Sequence, residues 1–147
     1  MNSRRIFKWT GLGFGALLLL YVGSVIWFEA QLGINQPQGA TSIVIATFNE
    51  DNERHERHER VVRLETIDDK YYVAANHWPR AWYHQALANP QIEVKMPGQD
   101  SFASFEAVNV VGAEDAFVRE IYRFGFSFRF RTGFPPRYFL RLEPNPG

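Results

Sequence analysis

The sequence predicts a mainly β domain of the α+β class, a small six-stranded β-barrel with short helices, preceded by one N-terminal transmembrane helix. Two observations support this prediction. An uncharged apolar segment stands near the N-terminus, and the remainder divides into six short runs of strand-like alternation and only two short helical runs. Six short strands with two helices fit a small barrel better than a sandwich. A chain of 147 residues is long enough for one modest domain of this kind.

The apolar segment has the length and flanks of a membrane anchor. Trp9–Phe28 carries no charged residue and would measure about 30 Å as a helix, which matches the hydrocarbon core of a bilayer. Arg4, Arg5 and Lys8 precede it, and the next basic residue is Arg54. The positive-inside rule therefore predicts a single-pass protein of the cell membrane. Its N-terminus is expected in the cytoplasm and its domain on the far, periplasmic or extracellular, side.

A cleaved signal peptide is the alternative interpretation of this segment. The apolar run is long for a signal peptide, and Phe28 stands where a cleavage site needs a small residue, which favours an uncleaved anchor. We therefore expect three regions: a cytoplasmic basic segment with the transmembrane anchor (residues 1–30), a linker (31–41) and the barrel domain (42–147). The linker contains Gly, Gln and Pro and lacks periodicity.

The strands are predicted from alternation and from the turn residues that separate them. Asp68–Asp69 and Pro97–Gly98 indicate hairpin turns, and Asn89–Pro90 ends a short helix that contains Trp82, because proline cannot continue it. An acidic first turn indicates a second helix over Gly112–Tyr122. The predicted strands are Ser42–Phe48, Arg60–Thr66, Lys70–Ala75, Gln91–Met96, Ser101–Val111 and Arg137–Glu143.

Composition excludes several classes of function. The 16 basic and 16 acidic residues balance, so there is no general attraction to nucleic acid. The absence of cysteine excludes disulfides, thiol catalysis and cysteine zinc sites. His55 and His58 have a spacing that suits a metal pair on a helix, but no third ligand stands nearby, so we expect no metal site.

Two stretches carry a family resemblance. The first is Tyr72-Val73-Ala74-Ala75; the second is Trp82-Tyr83-His84-Gln85-Ala86-Leu87-Ala88-Asn89-Pro90, followed by Ile92-Glu93-Val94. Over about residues 42 to 143 the chain resembles the split β-barrel superfamily of flavin and deazaflavin reductases. That superfamily includes deazaflavin-dependent nitroreductases and pyridoxamine-phosphate-oxidase-like proteins. The resemblance implies a split barrel, a bound FMN or deazaflavin, and a possible homodimer.

The resemblance also implies which residues bind the cofactor. Arg57, His58 and Arg60 lie in the hairpin where the family grips the cofactor phosphates. The remaining implied residues are Ala75, His77, Arg80, Trp82 and Tyr83. Two departures from the family pattern stand out. Residues 49–60 contain no glycine and five acidic residues, as a solvated charged turn would, and Gln85 replaces the family's asparagine. No catalytic residue is predicted.

A third segment, Tyr122–Phe134, alternates phenylalanine with arginine. The alternation indicates one apolar edge and one basic edge. Three interpretations remain open: contact with anionic membrane lipid, completion of the barrel core by the phenylalanines, or a roof over a pocket for a flat substrate.

Two functions are consistent with these observations. The first, implied by the resemblance, is a membrane-anchored oxidoreductase of the nitroreductase or quinone-reductase type. It would use a bound flavin or deazaflavin to reduce a lipophilic acceptor such as a quinone. The second is a non-enzymatic, membrane-tethered binding or assembly module that has lost the cofactor. The acidic turn without glycine favours the second, as does a domain on the far side of the membrane.

Overall fold

Six antiparallel strands form a closed barrel. The computed structural model describes residues 3–35, 39–49, 56–78 and 80–145, with side chains from residue 9 onwards. The strands follow one another around the barrel in the order β1-β2-β3-β6-β5-β4. The elements are α1 (Ser3–Ile34), β1 (Ser42–Phe48), β2 (Arg57–Ile67), β3 (Lys70–Ala75), α2 (Ala81–Ala88), β4 (Gln91–Lys95), β5 (Ala103–Asn109), α3 (Gly112–Ile121), α4 (Phe126–Arg131) and β6 (Tyr138–Pro144). The prediction of a mainly β, α+β six-stranded barrel behind a long apolar helix is confirmed.

The barrel interior is filled by alternate side chains of every strand. Successive strand residues point to opposite faces, so each strand contributes every second residue to the interior. In β3, for example, Val73 and Ala75 are buried inside. The interior cluster comprises Ile43, Ile45, Val62, Leu64, Val73, Ala75, Tyr83, Ala86, Ile92, Val94, Phe105, Ala107, Leu140 and Leu142.

A second core lies on the outer face of β3 and β6, beneath α3. Tyr72 and Phe139 point outwards and pack with Val110, Val118 and Tyr122. The Tyr122 hydroxyl donates a 2.9 Å hydrogen bond to the backbone oxygen of Tyr72. Helix α3 is thereby held to the sheet by one buried polar contact as well as by apolar packing.

Turn chemistry defines the ends of the central elements. Asp68 and Asp69 both adopt left-handed backbone conformations (φ 49° and 60°), which a two-residue hairpin requires and which aspartate tolerates better than most residues. Helix α2 ends at Ala88, where Asn89 becomes extended before Pro90. The predicted bounds of β1 and β3 agree with the structure residue for residue.

Strand β2 is longer than predicted and is paired unequally on its two sides. It begins at Arg57 rather than Arg60, because Arg57–Arg63 pairs with β1 throughout. Its described ladder with β3 covers only Leu64–Ile67. Among the described residues, the ladder of β2 with β3 is therefore shorter than its ladder with β1.

The chain divides into two structural units. One comprises the residues up to Asn35 together with Phe124–Pro135, and the other comprises Gln36–Arg123 and Pro136–Gly147. In the first unit α1 extends to Ile34 and so includes the first four residues of the predicted linker, 31–34. The described residues contain one helix long and apolar enough to cross a membrane, Trp9–Ile34. The linker residues 36–38, the turn residues 50–55 with His55, and the side chains of Arg4, Arg5 and Lys8 lie outside the described part.

The segment rich in phenylalanine and arginine folds as a helix, not as an extended edge. Helix α4 was not predicted from the sequence, which indicated the transmembrane helix and two further helices where the described chain has four helices in all. Phe126, Phe130 and Phe134 are exposed, and no residue of 124–135 belongs to either buried core. The interpretation that these phenylalanines complete the barrel core is therefore wrong, because the segment packs against α1 instead.

An ion pair ties α3 to the barrel wall. The Glu114 carboxylate accepts hydrogen bonds from Arg141 of β6 and from the Tyr72 hydroxyl (2.8 Å). The bond from Arg141 holds the pKa of Glu114 below its ordinary value. Its folded-state pKa is depressed, so the stability it contributes is present above the unfolded pKa of about 4.3 and is lost as the pH falls through the folded value.

We expect Glu114→Gln to lower the free energy of unfolding at pH 7 by about 1 kcal/mol, because the pair is partly exposed to solvent. The difference between wild type and variant should shrink as the pH falls below about 4. Chemical denaturation of the full chain at several pH values measures both effects. Glu120→Gln is the matched control, since the ion pair that Glu120 makes within the described residues is with exposed Arg123. Equal losses for the two variants would contradict this role for Glu114.

Candidate functional site

Helix α2 closes one end of the barrel. At this end β1, β3 and β5 finish and β2, β4 and β6 begin, because all neighbouring strands are antiparallel. Tyr83 enters the barrel and donates a 3.0 Å hydrogen bond to Asn109 Oδ1 at the end of β5. Thr47, fully buried at the end of β1, donates a 2.7 Å hydrogen bond to Gln85 Oε1. Gln85, which replaces the family's asparagine, thus serves to hold the helix on the barrel.

Two tyrosine rings form a flat platform at this end. Tyr83 stacks on Tyr138, the first residue of β6, with ring centroids 5.3 Å apart and 19° between the planes. Tyr138 reaches this place because it pairs with Ala75, the last residue of β3. Burial raises the pKa of the Tyr83 phenol, so the hydroxyl remains protonated at neutral pH and acts as a donor.

Arg80 lies over this platform with donors left unused. Its guanidinium carbon is 4.9 Å from the Tyr138 ring centroid and 5.7 Å from that of Trp78. The Nε and Nη2 atoms are buried and have no hydrogen-bond partner among the described residues. A buried unsatisfied donor costs about 1–3 kcal/mol, so native structures rarely keep one without a reason.

The position of Arg80 at the start of α2 also indicates that its side chain is available to a ligand. Arg80 occupies the N-cap of α2, where Ser, Thr, Asp or Asn would stabilise the helix, and it makes no side-chain capping bond. Its backbone oxygen accepts bonds from the amides of Tyr83 and His84 at 3.0 and 3.1 Å. The side chain is therefore not needed to start the helix, and its guanidinium is available to an anionic group.

The loop between β3 and α2 supplies further polar groups. Asn76 accepts a 3.2 Å hydrogen bond from Nε of Arg137, the residue before β6. His77 is half-buried in the same loop, and Trp78 is exposed, with half of its surface accessible. A second guanidinium and an indole face therefore border the end of the barrel that α2 closes.

The three candidates on β2 have different surroundings. Arg57 points outwards: it pairs with Glu59 and with Glu93 (3.0 Å) and lies 4.1 Å over the Phe102 ring. His58 and Arg60 alternate with it and lie on the face of β2 that carries buried Val62.

The contacts of the two inward candidates also differ. His58 Nε2 accepts a 3.1 Å hydrogen bond from Asn49 Nδ2. No hydrogen bond or ion pair among the described residues involves the half-buried Arg60 side chain. Of the three, Arg60 is therefore the cation with the fewest competing contacts.

The structure thus separates the eight predicted cofactor residues into groups. Arg80 and Tyr83 meet at the platform, with His77 in the adjoining loop. Ala75 and Trp82 serve mainly the core: Ala75 is 2% exposed, and Trp82 packs against the interior cluster. Arg57 is engaged elsewhere, whereas His58 and Arg60 lie at the same end of the barrel on β2.

Sequence reasoning missed several residues of this end. Tyr138 begins β6 and Arg137 directly precedes it, and Thr47 and Asn109 come from the ends of β1 and β5. None belongs to the quoted motif, and only strand register brings them near α2. For metals, the described ranges contain no group of three or more His, Cys, Asp or Glu residues that could hold an ion.

Comparisons with known proteins support the fold. No family model matches the chain, and no curated protein matches it in sequence. An F420-H2 dependent reductase, FDR-A, is similar in structure with a TM-score of 0.54 and 16% identity, over 74% of this chain and 99% of that one. HutZ, the heme storage protein of Vibrio cholerae, gives a TM-score of 0.51 and 15% identity over 84% and 89%.

A third solved structure is similar over only part of its length. Atu2129 of Agrobacterium tumefaciens, a protein of unknown function, gives a TM-score of 0.53 and 14% identity, over 71% of this chain and 48% of that one. The chain thus spans about half of that protein. At these identities the likeness is one of fold, and it agrees with the resemblance to split β-barrel flavin and deazaflavin reductases seen in the sequence.

We expect Arg80→Met to keep or raise the melting temperature of the ligand-free protein, by up to a few degrees, because it removes buried donors that have no partner. Arg57→Met is the matched control: it removes two ion pairs and should lower the melting temperature slightly. Thermal unfolding of both variants measures this. A fall of more than about 5 °C for Arg80→Met would mean that Arg80 is structural.

Proposed function

We propose that the protein is a membrane-anchored oxidoreductase of the nitroreductase or quinone-reductase type, whose split barrel binds a flavin or deazaflavin at the end closed by α2. The observation that supports this most directly is the Arg80 guanidinium, buried with two unused donors above the stacked rings of Tyr83 and Tyr138. A guanidinium fork matches phosphate and carboxylate geometry, and both cofactors are anionic.

The residues present fit the anionic part of such a cofactor. Arg80 would bind it, with Arg60 and His58 approaching from the start of β2 at the same end of the barrel. Trp78, half of whose surface is exposed, offers a ring face that suits a flat ring system. Once bound, the cofactor would supply the hydride or electrons. The chain would position it, neutralise its charge and exclude water from one side by means of α2.

A second function has its own support. Arg57 is occupied by Glu59 and Glu93, and both carboxylates add negative charge near the start of β2, which disfavours a phosphate there. A barrel that has lost its cofactor and serves as a membrane-tethered binding or assembly module agrees with that arrangement. The two functions differ in a direct way, because only the first requires cofactor binding.

We expect the detergent-purified full chain to carry a flavin-type absorbance or to bind FMN or a deazaflavin saturably. Arg80→Met should raise the dissociation constant about 10- to 100-fold, because charge-assisted hydrogen bonds to the cofactor are lost. Titration followed by cofactor fluorescence measures this. Arg123→Met is the control, since Arg123 is exposed and pairs with Glu120.

The titration separates the two functions. Absence of binding of either cofactor up to about 1 mM would overturn the reductase proposal and favour the binding module. Equal weakening by Arg80→Met and Arg123→Met would place the cofactor elsewhere on the molecule. If a variant loses binding but keeps its melting temperature, the loss is due to a change at the site and not to unfolding.

The anchor suggests an acceptor that resides in the membrane. We propose that α1 crosses the bilayer with the N-terminus in the cytoplasm, and that the acceptor is lipophilic, of the quinone type. Charge asymmetry supports the orientation: Arg4, Arg5 and Lys8 precede the span, and no basic residue follows it until Arg54.

The absence of cysteine from the chain makes this orientation measurable. In intact cells a membrane-impermeant maleimide should label Ser104→Cys, on exposed β5, whereas Ser3→Cys should react only after permeabilisation. The reverse pattern would place the barrel in the cytoplasm and overturn the proposed orientation. It would also place the site next to the cytoplasmic supply of reduced cofactor.

A further inference from the structure

The first structural unit of the chain contains more than the long apolar helix α1. Residues 124–135, centred on α4, pack along the side of α1. The Tyr21 and Phe130 ring centroids are 4.8 Å apart, and the Tyr21 hydroxyl donates a 3.0 Å hydrogen bond to the Phe130 backbone oxygen. Phe28 meets Phe128 edge-on at 6.3 Å. These contacts place α4 beside the apolar segment of α1.

The contact with Tyr21 shows at which level along the axis of α1 helix α4 lies. Tyr21 precedes Phe28 by about two helical turns, or roughly 10 Å along the helix axis. Both lie within the candidate span Trp9–Ile34. If α1 occupies a bilayer, α4 therefore lies at the level of lipid rather than in the water beyond the helix end.

Beside the contact of Phe130 with Tyr21, α4 and the residues after it carry an exposed aromatic cluster. Phe126 stacks on Phe130 at 6.1 Å and meets Phe134 at 5.8 Å. The exposed fractions of the three side chains are 73%, 47% and 41%. Aromatic side chains clustered in this way on a surface indicate contact with a partner, and phenylalanine suits the boundary of the acyl chains.

The backbone around Phe134 is held in an unusual conformation that completes this cluster. Phe134 has φ +53°, in the left-handed region that bulky residues rarely adopt, directly after Gly133 at +68°. The Phe134 amide donates a 2.8 Å hydrogen bond to the Arg129 backbone oxygen, and the Thr132 hydroxyl donates to that of Phe128 at 3.1 Å. The chain accepts this strain and thereby keeps a third ring beside Phe126 and Phe130.

The charges of the segment suit an anionic surface. Residues 124–135 contain Arg129 and Arg131 and no acidic residue. Both arginines are exposed, and Arg129 lies 5.4 Å over the Phe134 ring. Arginines at the edge of an aromatic face are the pattern by which interfacial helices bind anionic lipid headgroups.

We propose that residues 124–135 insert with α1 into the membrane interface. The Phe126, Phe130 and Phe134 rings would lie at the acyl boundary, and Arg129 and Arg131 on the phosphates of anionic lipids. The protein would then be attached to the membrane by two elements, α1 and residues 124–135. We call the second element the interfacial clamp. The proposal rests on α1 as a membrane helix and does not depend on the cofactor.

The test uses the cysteine-free full chain reconstituted into phosphatidylcholine vesicles with and without phosphatidylglycerol. An environment-sensitive fluorophore is attached at one of three exposed positions: Ser127→Cys on α4, Leu19→Cys on α1, or Ser104→Cys on the barrel. Quenching by lipids brominated on the acyl chain reports insertion, and quenching by aqueous iodide reports exposure. We expect bromolipid quenching at position 127 to exceed that at position 104 at least about threefold and to approach that at position 19.

Each outcome decides between named alternatives. Bromolipid quenching at 19 but not at 127, with 127 open to iodide, overturns the clamp and leaves α1 as a simple anchor. Shielding of 127 from both quenchers means that protein covers α4, for example a second copy, and also overturns the proposal. Absence of quenching at 19 overturns the membrane helix itself, and the clamp with it.

The arginines have a test of their own. In the Ser127→Cys background, phosphatidylglycerol should reduce the iodide accessibility of position 127. This effect should disappear in Arg129→Gln/Arg131→Gln while quenching at position 19 stays unchanged. An undiminished effect of phosphatidylglycerol in the double variant would remove the headgroup contact from the proposal.

Discussion

Burial of β3 on both of its faces is the constraint on which the rest of the structure depends. Val73 fills the barrel interior, while Tyr72 packs outside under α3, so a shift of one residue in register would exchange two buried faces. The same strand pairs with β6 and ends at Ala75, immediately before the loop that leads to Arg80. Its register therefore brings Tyr138 beneath Arg80. The geometry of the candidate site follows from the pairing of one central strand.

Much of the fold could be predicted because its signals are local. β1 and β3 are short runs of apolar and β-prone residues, and Asp68–Asp69 and Asn89–Pro90 mark ends through their own backbone preferences. The early part of β2 had no such signal, since its residues are charged and only pairing with β1 makes them a strand. Helix α4 is too short to form alone, and its alternating phenylalanines suggested the period of a strand. Its contacts with α1 decide its structure, and sequence periodicity carries no information about them.

The candidate site was predictable only where it coincides with a motif. Arg80 and Tyr83 belong to α2, whose sequence pattern is distinctive, so their meeting at one end of the barrel could be expected. Tyr138 arrives through the pairing of β6 with β3, Arg137 directly precedes that strand, and nothing near them in sequence indicates a site. Arg57 was expected at the site, but it lies on the outward parity of β2 and meets Glu59 and Glu93 instead. That difference of one position between Arg57 and His58 decides which of them faces the barrel interior.

The unequal pairing of β2 has a consequence for the behaviour of the protein in solution. Along Arg57–Arg63 the strand is paired with β1 on one side, while its ladder with β3 begins only at Leu64. A strand that extends beyond its neighbour can serve as a template on which another chain adds a strand and begins aggregation. In Arg57–Arg63 the outward positions are Arg57, Glu59, Val61 and Arg63, three of them charged, and a fourth charge, Arg60, points inwards. A growing β-stack would have to bury these charges at every added strand, so this part of β2 is protected against self-association by its own charged side chains.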